Sequence, residues 1–310
     1  MKPSIETIDF HGIEALRLTG PSGATAVISK LGAQVLSWVP PDGKERLFLS
    51  DKAVFDGSVA IRGGVPICFP QFAERGDLPK HGFVRTREWS VGSVRTGDDY
   101  ALVTMEITSD ESTLALWPHP FHAELTLMVE GDRIDIELGI TNTGGSPLSF
   151  TGALHSYLRV AQAEEAVLEG LKGLEYCDSL DGDRSALESR PELTVDSEVD
   201  RVYFNVKRPQ LLHSGKQTLA MQNQGFPDVV VWNPYVDRCA ELKDMPDDIR
   251  ERIQTVQEKS GFVPNVFLTL AHRPDEFRAF FAYHDALMLR DSGLTKGDKE
   301  MIIVATSAVN

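Results

Sequence analysis

The sequence predicts a mainly β protein over residues 1–245, a sandwich or barrel of short antiparallel strands, followed by a short all-α segment over residues 246–310. Three observations lead there. Short runs in the first part alternate apolar and polar residues, Gly, Pro, Asp and Asn recur between the runs, and helical spacing begins only at Pro246.

The clearest element is a hairpin. Residues 123–129 alternate, 130–133 (Glu-Gly-Asp-Arg) supply a turn, and 134–140 alternate again. Further strand runs lie at 26–29, 35–39, 101–107, 148–160, 202–206 and 229–232, and no stretch before residue 246 offers twelve residues of helical period. Pro246, Asp247 and Asp248 then open a helix carrying Ile249, Ile253 and Val256 at i, i+4 and i+7. Phe277, Phe280, Phe281, His284, Leu287 and Met288 repeat that spacing, and Thr295-Lys-Gly-Asp298 resembles a capping box before a third helix at 301–305.

Charge and cysteine usage bound the function. The net charge is −15, with 23 Lys/Arg against 36 Asp/Glu before residue 246 and eight against ten after it. That excess argues against a nucleic-acid partner, which needs a basic footprint. No apolar run approaches the roughly 18 residues of a membrane span. The first residues lack the apolar core of a signal peptide, and Cys68, Cys177 and Cys239 have no Cys-x-x-Cys or metal-ligand spacing. The expectation is a cytoplasmic protein without disulfides, membrane association or a cofactor. One stretch, 62–88, is locally basic, with Arg62, Arg75, Lys80, Arg85 and Arg87 against Glu74, Asp77 and Glu88. It reads either as a pocket for a small anion or as solvated surface charge.

Opening a sugar hemiacetal needs one group to protonate the ring oxygen and another to take the anomeric hydroxyl proton. A histidine and a carboxylate suit these roles, and a phosphorylated substrate adds a need for arginines. The sequence offers Arg62 before Gly63 and Gly64, which let backbone approach a ligand closely, then Lys80, His81 and Arg85 in Leu-Pro-Lys-His-Gly-Phe-Val-Arg at 78–85. His155 stands in Ala-Leu-His-Ser-Tyr at 153–157, and an aromatic turn, Val-Val-Val-Trp-Asn-Pro, occupies 229–234. Taken singly, His155 reads as a hydrogen-bonded structural histidine, and Arg62 and Arg85 as surface residues. His81 reads equally as a brace for its loop, and Arg75 and Arg87 as solvated.

These segments, together with Ile-Arg-Gly-Gly-Val-Pro at 61–66 and Leu-Lys-Gly-Leu-Glu-Tyr-Cys-Asp at 171–178, resemble the glucose-6-phosphate 1-epimerase (hexose-6-phosphate mutarotase) family of the galactose mutarotase-like superfamily. The resemblance covers about residues 5–245. It implies a large antiparallel β-sandwich, a sugar-phosphate substrate and no cofactor. It also implies His155 as general acid, Arg62 and Arg85 on the phosphate with Lys80 and His81 beside them, and Asp178 on sugar hydroxyls. Asp178 also fits an ordinary Asp-rich turn.

The family's base is a glutamate in a Met-x-Cys-x-Glu-like stretch after the Trp-Asn-Pro turn. No such stretch follows Trp232: Glu241 comes too early, and Glu251 and Glu258 fall on a helix face. The sandwich is therefore expected to be incomplete at its closing strands, with an open edge or the tail inviting self-association. The tail, with Lys-Ser-Gly-Phe-Val-Pro-Asn at 259–265, Ala-His-Arg-Pro-Asp-Glu at 271–276 and Glu300 before its last segment, resembles an alkylhydroperoxidase D-like, carboxymuconolactone decarboxylase fragment cut before its Cys-x-x-Cys. Three readings follow: an epimerase impaired by loss of its base, a weakly active sugar-phosphate-binding module, or a fused fragment of a thiol peroxidase-like helical protein.

Overall fold

The structure, a computed structural model, describes residues 2–235, 246–260, 267, 270 and 273–288. The chain divides into two compact units, residues 1–162 and 163–310. The expected change from strands to helices near residue 245 falls inside the second.

In the first unit, two four-stranded antiparallel sheets pack face to face. One contains β1 (Ser4–Phe10), β2 (Ile13–Thr19), β3 (Thr25–Ser29) and β4 (Val35–Val39) in that order. A short strand, β5 (Ile67–Cys68), comes next in the chain. The second sheet contains β6 (Ser90–Thr96), β7 (Tyr100–Thr108), β8 (Phe121–Glu130) and β9 (Arg133–Asn142), with a short helix α1 (Glu111–Leu116) between β7 and β8. The predicted hairpin is β8–β9, in register from Phe121↔Asn142 to Glu130↔Arg133.

Period two explains the core. Phe121, Ala123, Leu125, Leu127 and Val129 of β8 are fully buried, as are Ala101, Val103 and Met105 of β7. They face β2 and β3, whose Leu16, Leu18, Ala26 and Ile28 are also buried. Each large apolar side chain withdrawn from water contributes about 1.5–3 kcal/mol. The opposite face of the first sheet is covered too: Ala15, Val27 and Leu36 pack with Leu31 and Ile61, against Leu49, Ala53 and Phe55. The irregular segment that leads to Arg62 is thereby pinned to the sheet.

The predicted strand at 148–160 is regular only at β10 (Ala153–Leu154), which pairs with β5. The segment is zipped by single hydrogen bonds to 64–70, where Pro66 and Pro70 have no N–H and Gly64 takes a positive φ. A ladder cannot continue along such a partner. The sequence also gives no sign of α1, a single turn and a half held by the Asp110–Thr113 capping box.

Among its described residues the second unit holds eight further strands. They are β11 (Val167–Glu169), β12 (Glu175–Asp178), β13 (Arg184–Leu187), β14 (Glu192–Thr194), β15 (Val199–Tyr203), β16 (Gln210–Ser214), β17 (Gln217–Met221) and β18 (Val229–Asn233). They form antiparallel sheets ordered β14-β11-β16-β17 and β13-β12-β15-β18. Leu171, Leu193, Tyr203 and Val206 form their shared core. The tail supplies α2 (Asp247–Ser260) and α3 (Pro274–Met288), where Ile249, Ile253, Phe277 and Phe281 cluster and Arg252 forks onto Asp285. Phe280, expected on that apolar face, is exposed. The third expected helix, Glu241 and Glu300 lie outside the described residues. Among the described residues no helix is long and apolar enough to cross a membrane.

The fold is mainly β with antiparallel sheets and a short helical segment, as the sequence predicts.

Candidate active site

Two extended segments carry Arg62 and His155. Gly64 N donates to Phe48 O, Val65 N to Val35 O, and Ser50 N to Arg62 O. A Cβ on Gly63 would overlap Phe48 O, and one on Gly64 would overlap Val35 O. These glycines therefore serve the approach of chain to chain, where the sequence suggested approach to a ligand. On the other side, His155 N donates to Pro66 O (3.0 Å) and Tyr157 N to Gly64 O (2.8 Å). His155 and Tyr157 alternate onto one face, and their rings stack at 4.5 Å and 14°.

His81 comes from the loop after β5. Its φ of 65° is left-handed, held by His81 N to Ala73 O (3.0 Å). Its Nδ1 accepts from Ala73 N (3.2 Å) and faces the Cys68 thiol at 3.3 Å, which assigns the ring proton to Nε2. The buried Gln71 braces the same loop, donating to Ala73 O and Leu78 O and accepting from Leu78 N. The His81 ring stands edge-on to His155, centroids 5.7 Å apart. Arg85 sits in a 3₁₀ turn, Val84–Thr86, and its Nη2 donates to Lys80 O (2.8 Å). Arg62 and Lys80 are exposed, and the Lys80–Glu74 pair at 3.7 Å is a weak surface contact.

The electrostatics tie these groups together. Burial pushes His81 down to about 4, with Arg85, His155 and Lys80 adding to it. Burial also lowers His155, and Arg85 adds, against a backbone hydrogen bond that raises it. Tyr157 is raised by burial while Arg62 and Arg85 pull the other way, so both guanidiniums act on that phenol. Burial pushes the Cys68 thiol up to about 12, which makes it a packing group and no nucleophile at neutral pH.

A pH dependence follows with a definite sign. Both imidazoles sit below their usual 6.5 in the folded chain, so the unfolded chain takes up protons first. Stability held above about 6.5 should be lost as pH falls toward 4, the folded value of His81. Urea midpoints measured from pH 7.5 to 4.5 should show this fall, with a shallower slope in His81→Gln. An equal slope in both proteins would refute it.

Among the sequence candidates, His81, Lys80, Arg85 and His155 come together, and Arg62 joins them through Tyr157. Asp178 belongs to the second unit. There its carboxylate accepts from Arg201 Nε (3.0 Å) and Leu180 N (3.1 Å), within a chain of ion pairs that runs through the buried Glu188 to Arg190, with the Tyr203 hydroxyl also donating to Glu188. Arg87, expected to be solvated, donates to Ser112 Oγ at 2.7 Å and lies over the Phe83 ring. Glu251 is exposed on α2. Tyr157, Gln34 and Gln71 were not singled out from sequence. Tyr157 had a signal, its place two residues after His155 in an extended run. Among the described residues no group of three or more His, Cys, Asp or Glu could hold a metal ion.

The family model described as Aldose 1-epimerase matches residues 14–258. The chain belongs to the aldose 1-epimerase family. A relative from Cenchrus ciliaris, named as a candidate glucose-6-phosphate 1-epimerase, is 37% identical over 247 residues, 76% of this chain and 75% of its own length. Among solved structures, a candidate mutarotase from Salmonella typhimurium superimposes with a TM-score of 0.70 at 30% identity, covering 79% of this epimerase-family chain and 82% of that one. An alkylhydroperoxidase AhpD core protein from Ralstonia eutropha JMP134 matches 23% of this chain and 37% of its own at 80% identity, with a TM-score of 0.22, too low to establish a shared fold.

Proposed function

We propose that the protein is a hexose-6-phosphate mutarotase, an isomerase that interconverts α and β anomers by acid–base ring opening. The observation that carries this reading is the edge-on pair His81–His155 in the field of Arg85, with Arg62 acting on the same Tyr157 phenol. The Cenchrus relative's name supports a phosphorylated glucose as substrate.

In this mechanism His155 gives a proton to the ring oxygen while a carboxylate takes the anomeric hydroxyl proton. The ring opens, the C1–C2 bond rotates, and the ring closes on the other face. His155 is held neutral by burial and by Arg85. A phosphate dianion seated on Arg85 offsets that positive charge and moves His155 back toward protonation, so the substrate helps to arm its own acid. His81 offers Nε2–H as a second donor. A second reading, a sugar-phosphate-binding module with slow turnover, is favoured by one observation: no Met-x-Cys-x-Glu stretch follows Trp232. We assign residues 246–310 to a separate, alkylhydroperoxidase D-like origin on the strength of their motifs and of the change in pattern near residue 245.

Arg62→Ala should weaken glucose 6-phosphate binding about tenfold or more, since a charge-assisted contact contributes about 1.5–3 kcal/mol. Binding of free glucose should be little changed. Calorimetry with both sugars tests the assignment, and equal losses for both would remove Arg62 from the phosphate.

A further inference from the structure

The turn that joins β3 to β4 touches both arginine-bearing segments. Ser29 closes it, donating from N to Gln34 O (3.0 Å) and from Oγ to Leu31 O (2.6 Å) and Gln34 O (3.3 Å). On one side Gly32 N donates to Arg87 O (2.7 Å), and a Cβ on Gly32 would stand 2.5 Å from Arg85 O. With φ of +72°, this position is open to glycine and costly for other residues. The main chain of Arg85 thus rests directly on the turn. On the other side the fully buried Gln34 side chain reaches across to the Arg62 segment. Its Nε2 donates to Ile61 O (3.1 Å) and Gly63 O (2.6 Å), the two carbonyls that flank Arg62.

We propose that the 29–34 turn fixes the separation of Arg62 and Arg85, with Gln34 as the positioning residue for Arg62. The proposal rests on the reading of the two arginines as phosphate ligands and adds what holds them apart at the right distance. Arg62 is exposed and long, so its side chain alone does not define where its charge sits. A backbone locked on both sides of it does. Gln34 donates to both carbonyls from a single nitrogen, so losing the amide releases both at once. A glutamine serving packing alone would leave ligand affinity untouched once the protein is folded. One acting through Arg62 would affect only ligands that Arg62 holds.

The test uses the full chain and Gln34→Met, which keeps the unbranched stem and removes the donor. Calorimetry should show glucose 6-phosphate binding about tenfold weaker, comparable to losing a charge-assisted contact. Wherever turnover is measurable, KM should rise with it while kcat changes less than about threefold, the pattern of lost uniform binding. In an Arg62→Ala background the same substitution should change affinity less than about twofold, because the residue it acts through is gone. Unchanged affinity in a folded Gln34→Met protein overturns the proposal, as does a full additional loss in the Arg62→Ala background. Should Gln34→Met not fold, Ser29→Ala loosens the same turn by one hydroxyl. It should weaken binding about threefold with a single cooperative melt retained, and wild-type affinity in that variant overturns the proposal. A wild-type chain that fails to bind glucose 6-phosphate overturns the functional reading itself. A wild type that binds while the variants match it overturns the brace alone.

Discussion

His155→Ala is expected to slow anomer exchange of glucose 6-phosphate by about 10²–10⁴-fold, the range a general acid supplies. Sugar-phosphate affinity should stay nearly constant, because the proposed phosphate ligands are the arginines and not the imidazole. His155 is stacked on Tyr157 and its backbone is fixed to Pro66 O, so alanine removes the proton donor without releasing the segment. Exchange spectroscopy on the α and β anomers measures the rate, and calorimetry measures affinity on the same samples. Since the chain lacks the family's glutamate stretch, its starting rate should lie at least about a hundredfold below that of an intact relative. Exchange indifferent to His155 would overturn the mechanism, and turnover at the level of intact relatives would mean that another carboxylate serves as base.

The second large effect is structural. Gly64→Ala should destabilise the protein by about 2–4 kcal/mol, in the range of strained backbone combined with overpacking. Gly64 has φ of 61°, and the added methyl would overlap Val35 O, the acceptor for Val65 N. Neither chain can retreat cheaply: Val35 and Leu36 belong to the buried first sheet, and Gly64 O also accepts from Tyr157 N. Urea denaturation followed by circular dichroism measures the loss. A midpoint within error of the wild type would show that the contact relaxes and that the glycine pair is not a packing requirement.

What the sequence disclosed depended on whether a contact was local. The β8–β9 hairpin was legible because alternation and a Gly-Asp turn both lie within twenty-odd residues. The start of α2 was legible from Pro246 and two aspartates for the same reason. His81, Lys80 and Arg85 shared one short motif, and the structure keeps them close. The packing role of Gly63 and Gly64 was not legible because their neighbours, Phe48 and Val35, come from distant segments. Gln34 was invisible because nothing near it in sequence announces a reach to residues 61 and 63. Arg87 looked solvated because its partner Ser112 belongs to a helix too short for periodicity to reveal.

The pairing of 155–157 with 64–66 has a kinetic consequence. It joins residues about ninety apart in sequence, whereas β8 and β9 close over a two-residue turn. Loop closure therefore favours the hairpin early and the histidine segment late. His155 is therefore expected to reach Arg62 and Arg85 only after the sheets of the first unit have formed. Held by single hydrogen bonds where β7 and β8 share a full ladder, this segment should exchange its amide protons with solvent well before those strands do.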